Sequence, residues 1–241
     1  MARRALRLGV GAALTATLAG ALAALPAAAG ARPVAWGEHE TAGPGRLEST
    51  VIGTRRAVRF VVRPGDSPVR SGERTERVAS VAQTGATPGH VATYRWSTRF
   101  PADFAPVPDS TWNIFTQWHG SAADGCHPNI ALQVNTALVP ARLRLQVRGG
   151  ALGAACAPQE SRSWDFAPLV RGRWEALALR VRWSATPGAG SVQLRMGDAV
   201  VVPETRLATL YTGERAYLKQ GFYRAPAAFT STVFQTGIAL D

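Results

Sequence analysis

The feature that most constrains this chain is a two-residue alternation of apolar and polar side chains, repeated in short runs between clusters of Gly, Pro, Asp and Ser. In ARLRLQVRGG, Leu143, Leu145 and Val147 fall on one side, while Arg142, Arg144, Gln146 and Arg148 fall on the other. A strand with one buried face needs this pattern, because successive side chains point to opposite faces of a sheet. NIALQVN repeats it, setting Ile130, Leu132 and Val134 against Asn129, Ala131, Gln133 and Asn135. ALALRVRW gathers Leu177, Leu179, Val181 and Trp183 and leaves Arg180 and Arg182 outside. SVQLRMGDAVVVP reads as a hairpin turning at Gly197-Asp198. No segment carries a long helical period. Many short strands divided by turn residues predict an all-β fold, an antiparallel β-sandwich of the jelly-roll type whose curved, concave sheet forms a groove.

The first residues depart from that pattern. MARRALR is followed by an uncharged Ala/Leu/Gly run and by small residues suited to cleavage. That is the plan of a secretory signal peptide, so residues 1–31 are expected to be removed and 32–241 to form a single domain. Roughly 210 residues are enough for one sizeable core. The formal charge is +11; loss of Arg3, Arg4 and Arg7 leaves the remainder strongly basic, and such a field attracts polyanions. Lys219 is the only lysine. The two cysteines, Cys126 and Cys156, are an even count in an exported chain and predict one disulfide tying two loops together. The expectation is a secreted monomer that meets neither nucleic acid nor, once the signal is cleaved, a membrane.

Three strand-like stretches hold reactive residue types on their polar faces. GERTERV places Arg74, Glu76 and Val78 together, with Thr75 and Arg77 opposite; FTQWH pairs Gln117 with His119 and turns Trp118 away. AYLKQGFYR lines up Tyr217, Lys219, Gly221 and Tyr223, with Leu218, Gln220 and Phe222 behind. Together these residues suit removal of a carbon-bound proton beside a carboxylate. Arg and an amide can neutralise the carboxylate charge, which makes the neighbouring proton acidic enough for a protein base. A neutral His or a Tyr phenolate can take that proton, and a Tyr hydroxyl can protonate a departing glycosidic oxygen. Hydrolysis fits less well, since it usually needs two carboxylic acids across the scissile bond. The nearest such pair, Glu38 and Glu40 in WGEHE, lies close to the mature N-terminus and reads as part of an edge strand or loop. His127 reads as a loop histidine beside the disulfide, and His39 and His90 are similarly unremarkable.

The same three stretches resemble the three signatures of the jelly-roll polysaccharide lyases. From about Trp36 to Leu240 the chain is similar to the heparin lyase I-like group that includes glucuronan lyases, carried by TWNIFTQWH, CHPNIALQVN, RLRLQVRGG and AYLKQGFYR. Alginate lyases of this fold are more distant. Their signatures are an Arg-(Ser/Thr)-Glu-x-Arg strand, a Gln-x-His strand and a Tyr-Phe-Lys-Ala-Gly-x-Tyr strand. The resemblance implies that Arg74 and Gln117 bind the substrate carboxylate, that His119 is the base or a charge neutraliser, and that Tyr223 is the catalytic tyrosine. It leaves open whether His119 or Tyr223 is the base. Lys219 would contact substrate acid groups, with Tyr217 beside it. Asn129, Gln133, Asn135, Arg144, Gln146 and Arg148 would bind successive sugars.

The expected activity is β-elimination on an acidic, uronate-containing polysaccharide such as glucuronan, alginate or a heparin-like chain. No organic cofactor is implied; some relatives hold a structural calcium ion in a loop, and nothing here locates one. There are departures from the signatures. Val78 stands where the first has its second arginine, with Arg77 one place early, so either Arg74 or Arg77 could face the groove. Gln220 replaces Ala and would sit on the core face, where it needs a hydrogen-bond partner. The alternative function is a non-catalytic, lectin-like sandwich for acidic polysaccharides. It would explain the Arg-rich faces but gives His119 and Tyr223 no reason to converge.

Overall fold

The alternating runs become two antiparallel sheets packed face to face in a computed structural model that describes residues 30–69, 71–120 and 126–241. The expected signal segment falls almost wholly outside the described residues. In chain order the strands are β1 (Arg32–Pro33), β2 (Glu38–Glu40), β3 (Leu47–Ile52), β4 (Arg55–Val62), β5 (Glu73–Ala79), β6 (Val91–Arg99), β7 (Asn113–Gly120) and β8 (Ile130–Asn135). They continue as β9 (Arg142–Leu152), β10 (Pro158–Pro168), β11 (Trp174–Arg182), β12 (Ser191–Met196), β13 (Ala199–Arg206), β14 (Ala216–Arg224), β15 (Ser231–Gln235) and β16 (Ala239–Leu240). One sheet runs β13-β12-β11-β6-β15-β4-β3, with β16 and β1 attached to β6; the other runs β10-β9-β8-β7-β14-β5-β2. The jelly-roll expectation holds. The β12–β13 hairpin turns at Gly197-Asp198 as its sequence predicts.

The core lies between the sheets and takes one face of each alternating run. Leu143, Leu145 and Val147 from β9 meet Leu177, Leu179 and Val181 from β11, all fully buried. Trp118 is completely enclosed and packs edge-on against Tyr94 of the facing sheet, ring centroids 4.8 Å apart. Burying a side chain of this size contributes roughly 1.5–3 kcal/mol. Arg180 and Arg182 are exposed on β11, which belongs to the sheet away from the groove. The arginine-bearing face of β9, by contrast, belongs to the groove sheet.

A β-bulge sets the phase of the central strand. Strict alternation would turn Phe115 to the same face as Gln117, yet Phe115 is fully buried and packs edge-on against Phe100. The pairing of β7 with β8 slips between Ile114 and Thr116, so Phe115 and Thr116 both turn inward. Gln235, reaching from the other sheet, donates to the Phe115 carbonyl at 2.9 Å and to Thr116 Oγ1 at 3.2 Å, which satisfies the disturbed ladder. Ile114 is thereby returned to the groove face together with Gln117 and His119.

Candidate active site

Strands β7, β14 and β5 lie side by side, and their register assembles the three sequence stretches into one groove of about 890 Å³. Lys219 sits directly across from Gln117, and Tyr217 across from His119. Tyr223 faces Arg74 on β5. Gly221 lets β14 approach β5 closely: a Cβ there would lie 2.1 Å from the Thr75 carbonyl oxygen and 2.7 Å from the Glu76 Cα.

His119 Nδ1 lies 3.1 Å from the Gly120 carbonyl oxygen. A carbonyl only accepts, so this contact selects the tautomer with the proton on Nδ1, in which Nε2 keeps its lone pair. The imidazole stacks on Tyr217, centroids 5.5 Å apart. Burial pushes its pKa below the usual histidine value; the Gly120 carbonyl opposes this and the Lys219 charge adds to it. At neutral pH the ring is uncharged.

Tyr223 is clamped on every side. Its hydroxyl is 3.0 Å from Ser71 Oγ, its ring meets Trp112 edge-on at 5.3 Å, and the Arg74 guanidinium lies 3.8 Å from the ring centroid. Gly72, at φ +62°, is required here: a Cβ would stand 2.5 Å from the tyrosine ring and 2.7 Å from Trp112. Arg74 also donates to the Ser71 carbonyl at 2.8 Å.

The cations are not free. Glu40, on edge strand β2, accepts from Lys219 Nζ at 2.5 Å and from Arg74 Nη1 at 3.0 Å. Burial raises its carboxyl pKa, but Lys219 and then Arg74 outweigh that and hold it below the usual value. Directly across from Glu40 on β5 stands Glu76, wholly buried, with Oε1 2.6 Å from Gln117 Nε2. The choice between the two arginines is resolved by packing. Arg77 points to the opposite side of β5, over the Trp36 ring at 4.1 Å, and donates to Gln220 Oε1 through Nε at 3.0 Å and through Nη2. The partner that buried Gln220 needs is therefore Arg77, and Arg74 faces the groove.

The chemistry-bearing residues expected on the first, second and third stretches thus converge, and Gln133, Gln146 and Arg148 line the same groove. Arg148 has no carboxylate partner among the described residues; burial lowers its pKa. Asn129, Asn135 and Arg144 lie outside the lining. Asn129 is fully buried, Asn135 donates to Asp165 at 3.0 Å, and Arg144 grips both Asp165 oxygens at 2.9 and 2.7 Å. The Cys126–Cys156 disulfide forms as expected and brings Cys126, His127 and Pro128 to one wall.

Residues 34–238 match the family described as polysaccharide lyase. The chain belongs to that family. No match was found among curated protein sequences. The lyase shares its fold with the endo-β-1,4-glucuronan lyase of the fungus Trichoderma reesei at TM-score 0.65 and 16% identity, covering 85% of this chain and 90% of that one. It is also similar to alginate lyase A1-II', a member of polysaccharide lyase family 7, at TM-score 0.56 and 14% identity, covering 83% of this chain and 84% of the other. For alginate lyase AlyC3 the TM-score is 0.54 at 13% identity, over 77% and 74% of the two chains.

Sequence reasoning missed several residues of this polysaccharide lyase's groove. The sequence places Glu40 on an edge strand or loop, as found, without linking it to Arg74 and Lys219, and reads His127 as a loop residue. Ser71 and Trp112 carried no periodic signal. The cue for Glu40 was cross-strand pairing with β5, which a linear pattern does not display.

Proposed function

We propose that this polysaccharide lyase cleaves an acidic, uronate-containing polysaccharide by β-elimination, leaving an unsaturated uronate end, and that it is exported by residues 1–31. What carries the reading is the convergence of a neutral, tautomer-fixed His119 with Gln117, Lys219, Arg74 and Tyr223 in one groove. The uronate carboxylate lies against the Gln117 amide and the remaining donors of Arg74 and Lys219, which draws charge away from the α-carbon. His119 Nε2 takes the α-proton. The C–H electron pair becomes the C4=C5 double bond, the C4–O bond breaks, and the Tyr223 hydroxyl gives its proton to the departing glycosidic oxygen.

Glu40 already neutralises part of the Arg74 and Lys219 charge. This favours polymers charged only through carboxylates, such as glucuronan or alginate, over a polysulfated heparin-like chain. The test is ultraviolet absorbance of the unsaturated product, with the mature protein offered glucuronan, alginate, heparin, heparan sulfate and hyaluronan in turn. Absorbance should rise with a carboxylate polymer and stay flat in Tyr223→Phe. Retention of polymer with no rise on any of the five would mean binding without elimination.

A further inference from the structure

Glu76 is the least accounted-for ionisable group beside the groove. It is 0% exposed, and among the described residues its one hydrogen-bond partner is the uncharged Gln117 amide, at 2.6 Å from Oε1. Its Oε2 is buried with no hydrogen-bond partner among the described residues. An ionised carboxylate in that position would need charge-assisted donors to offset its desolvation. The two nearby cations are turned elsewhere: Lys219 Nζ is held by Glu40 at 2.5 Å, and Arg74 Nη1 bonds Glu40 at 3.0 Å while standing 3.7 Å from Glu76 Oε2. Glu40, negatively charged, sits directly across the strand pair.

We propose that Glu76 works as a neutral carboxylic acid that donates its O–H to the Gln117 amide oxygen, turning the amide NH2 toward the substrate carboxylate. The two ends of an amide have nearly the same shape, and the hydrogen-bond network decides which way it points. A neutral donor at Glu76 selects the orientation in which Gln117 offers two N–H groups to an anion. An ionised Glu76 would select the reverse and set a carbonyl oxygen against the incoming carboxylate. The groups that face Glu76 are Arg74 on its own strand, Glu40 on β2, Lys219 on β14 and Gln117 on β7. Desolvation raises its pKa; Lys219, Arg74 and the Gln117 contact oppose this and Glu40 adds to it, leaving it above the usual glutamate value. Glu76 is a positioning residue, acting through Gln117. Activity should therefore fall at alkaline pH as Glu76 ionises and the amide reverses.

The inference rests on the lyase reading for its kinetic arm but not for its spectroscopic one. In Glu76→Gln the new amide N–H can still donate to Gln117, so kcat/KM at neutral pH should survive and the alkaline decline due to Glu76 should disappear. Glu76→Ala removes the donor and should lower kcat/KM by roughly tenfold, the worth of one hydrogen bond. Equal losses in the Gln and Ala variants, with both folded by thermal melt, would overturn the proposal. Independently of turnover, 13C-labelled glutamate side chains should show a carboxyl still protonated at pH 7. Burial also raises Glu214, so the decisive spectrum is that of Glu214→Gln. A protonated glutamate persisting there is Glu76; none persisting overturns the proposal even if Glu76→Gln fails to fold. Failure of the parent on every polymer, with the protonated carboxyl present, would count against the elimination reading alone.

Discussion

At the residue scale the proposed elimination divides the work between His119 and Tyr223, whose surroundings differ. In the proposed reaction a neutral imidazole facing the Gly120 carbonyl through Nδ1 serves as the base, and the Tyr223 hydroxyl, 3.0 Å from Ser71 Oγ, serves as the acid. His119→Gln and Tyr223→Phe should each lower kcat by about 10²- to 10⁴-fold, the usual worth of a general acid or base, while polymer retention stays close to the parent's. Steady-state kinetics and an affinity gel together check this; loss of retention matching the loss of turnover would refute it. The pH profile follows from the direction of the His119 shift. Its folded pKa lies below the usual histidine value of about 6.5, so the base form persists below that pH and the acid limb of kcat/KM should fall below pH 6.5. The folded state binds its proton less readily than the unfolded chain does. The associated stability is therefore complete above pH 6.5 and erodes as pH drops through the folded pKa. A kinetic limb centred above 6.5 would mean that His119 is not the base.

At the scale of single elements, β5 and β14 show how one strand serves two ends. Their groove faces carry Arg74, Lys219 and Tyr223, while their inward faces carry the pair Arg77 and Gln220, closed off by the Thr236 carbonyl. Burial pushes Arg77 down to about 10, yet it remains charged at neutral pH, and Gln220 Oε1 is its main acceptor. Gln220→Ala should cost roughly 1–3 kcal/mol by stranding a buried donor. That is a Tm drop of several degrees for a domain of this size, with turnover per folded molecule unchanged. An unaltered melt would show that the guanidinium finds water instead. The alternation in ARLRLQVRGG and the Gly197-Asp198 turn made strand identity legible in the sequence, because period and turn chemistry are local. Sheet membership was not: Arg180 and Arg182 look like Arg142 and Arg144 in a linear pattern, yet stand on the opposite sheet. The inward turn of Phe115 was equally hidden, since a bulge breaks the two-residue period that reveals a strand. Of the site, the three stretches were legible from residue types; Glu40 and Glu76 gained meaning only when β2 paired with β5.

For the whole molecule, two long-range features act on the groove. The disulfide closes a 30-residue span from the connection before β8 to the turn after β9, which in the chain-entropy account contributes roughly 3–4 kcal/mol. Replacing both cysteines by serine should lower Tm by that equivalent and raise KM, because Cys126, His127 and Pro128 form a groove wall. A lower Tm with KM unchanged would limit the disulfide to stability. The second feature is charge. The chain is strongly basic, but within the groove sheet Arg144 is neutralised by Asp165, and Arg74 and Lys219 share Glu40. Arg148 is left as the lining cation without a carboxylate partner among the described residues. It lies on β9, three strands from Lys219, so it would meet a carboxylate on a different sugar from the one being cleaved. Such a contact is the same in ground and transition states. Arg148→Ala should therefore raise KM several-fold and leave kcat in place. It should also flatten the fall of kcat/KM with added salt, since the charge attraction that draws a polyanion toward the groove is screened over about 8 Å at physiological ionic strength. Michaelis curves at low and high salt decide it: an unchanged KM and salt slope would remove Arg148 from the substrate path, and a fall in kcat would place it nearer the reacting bond than its strand allows.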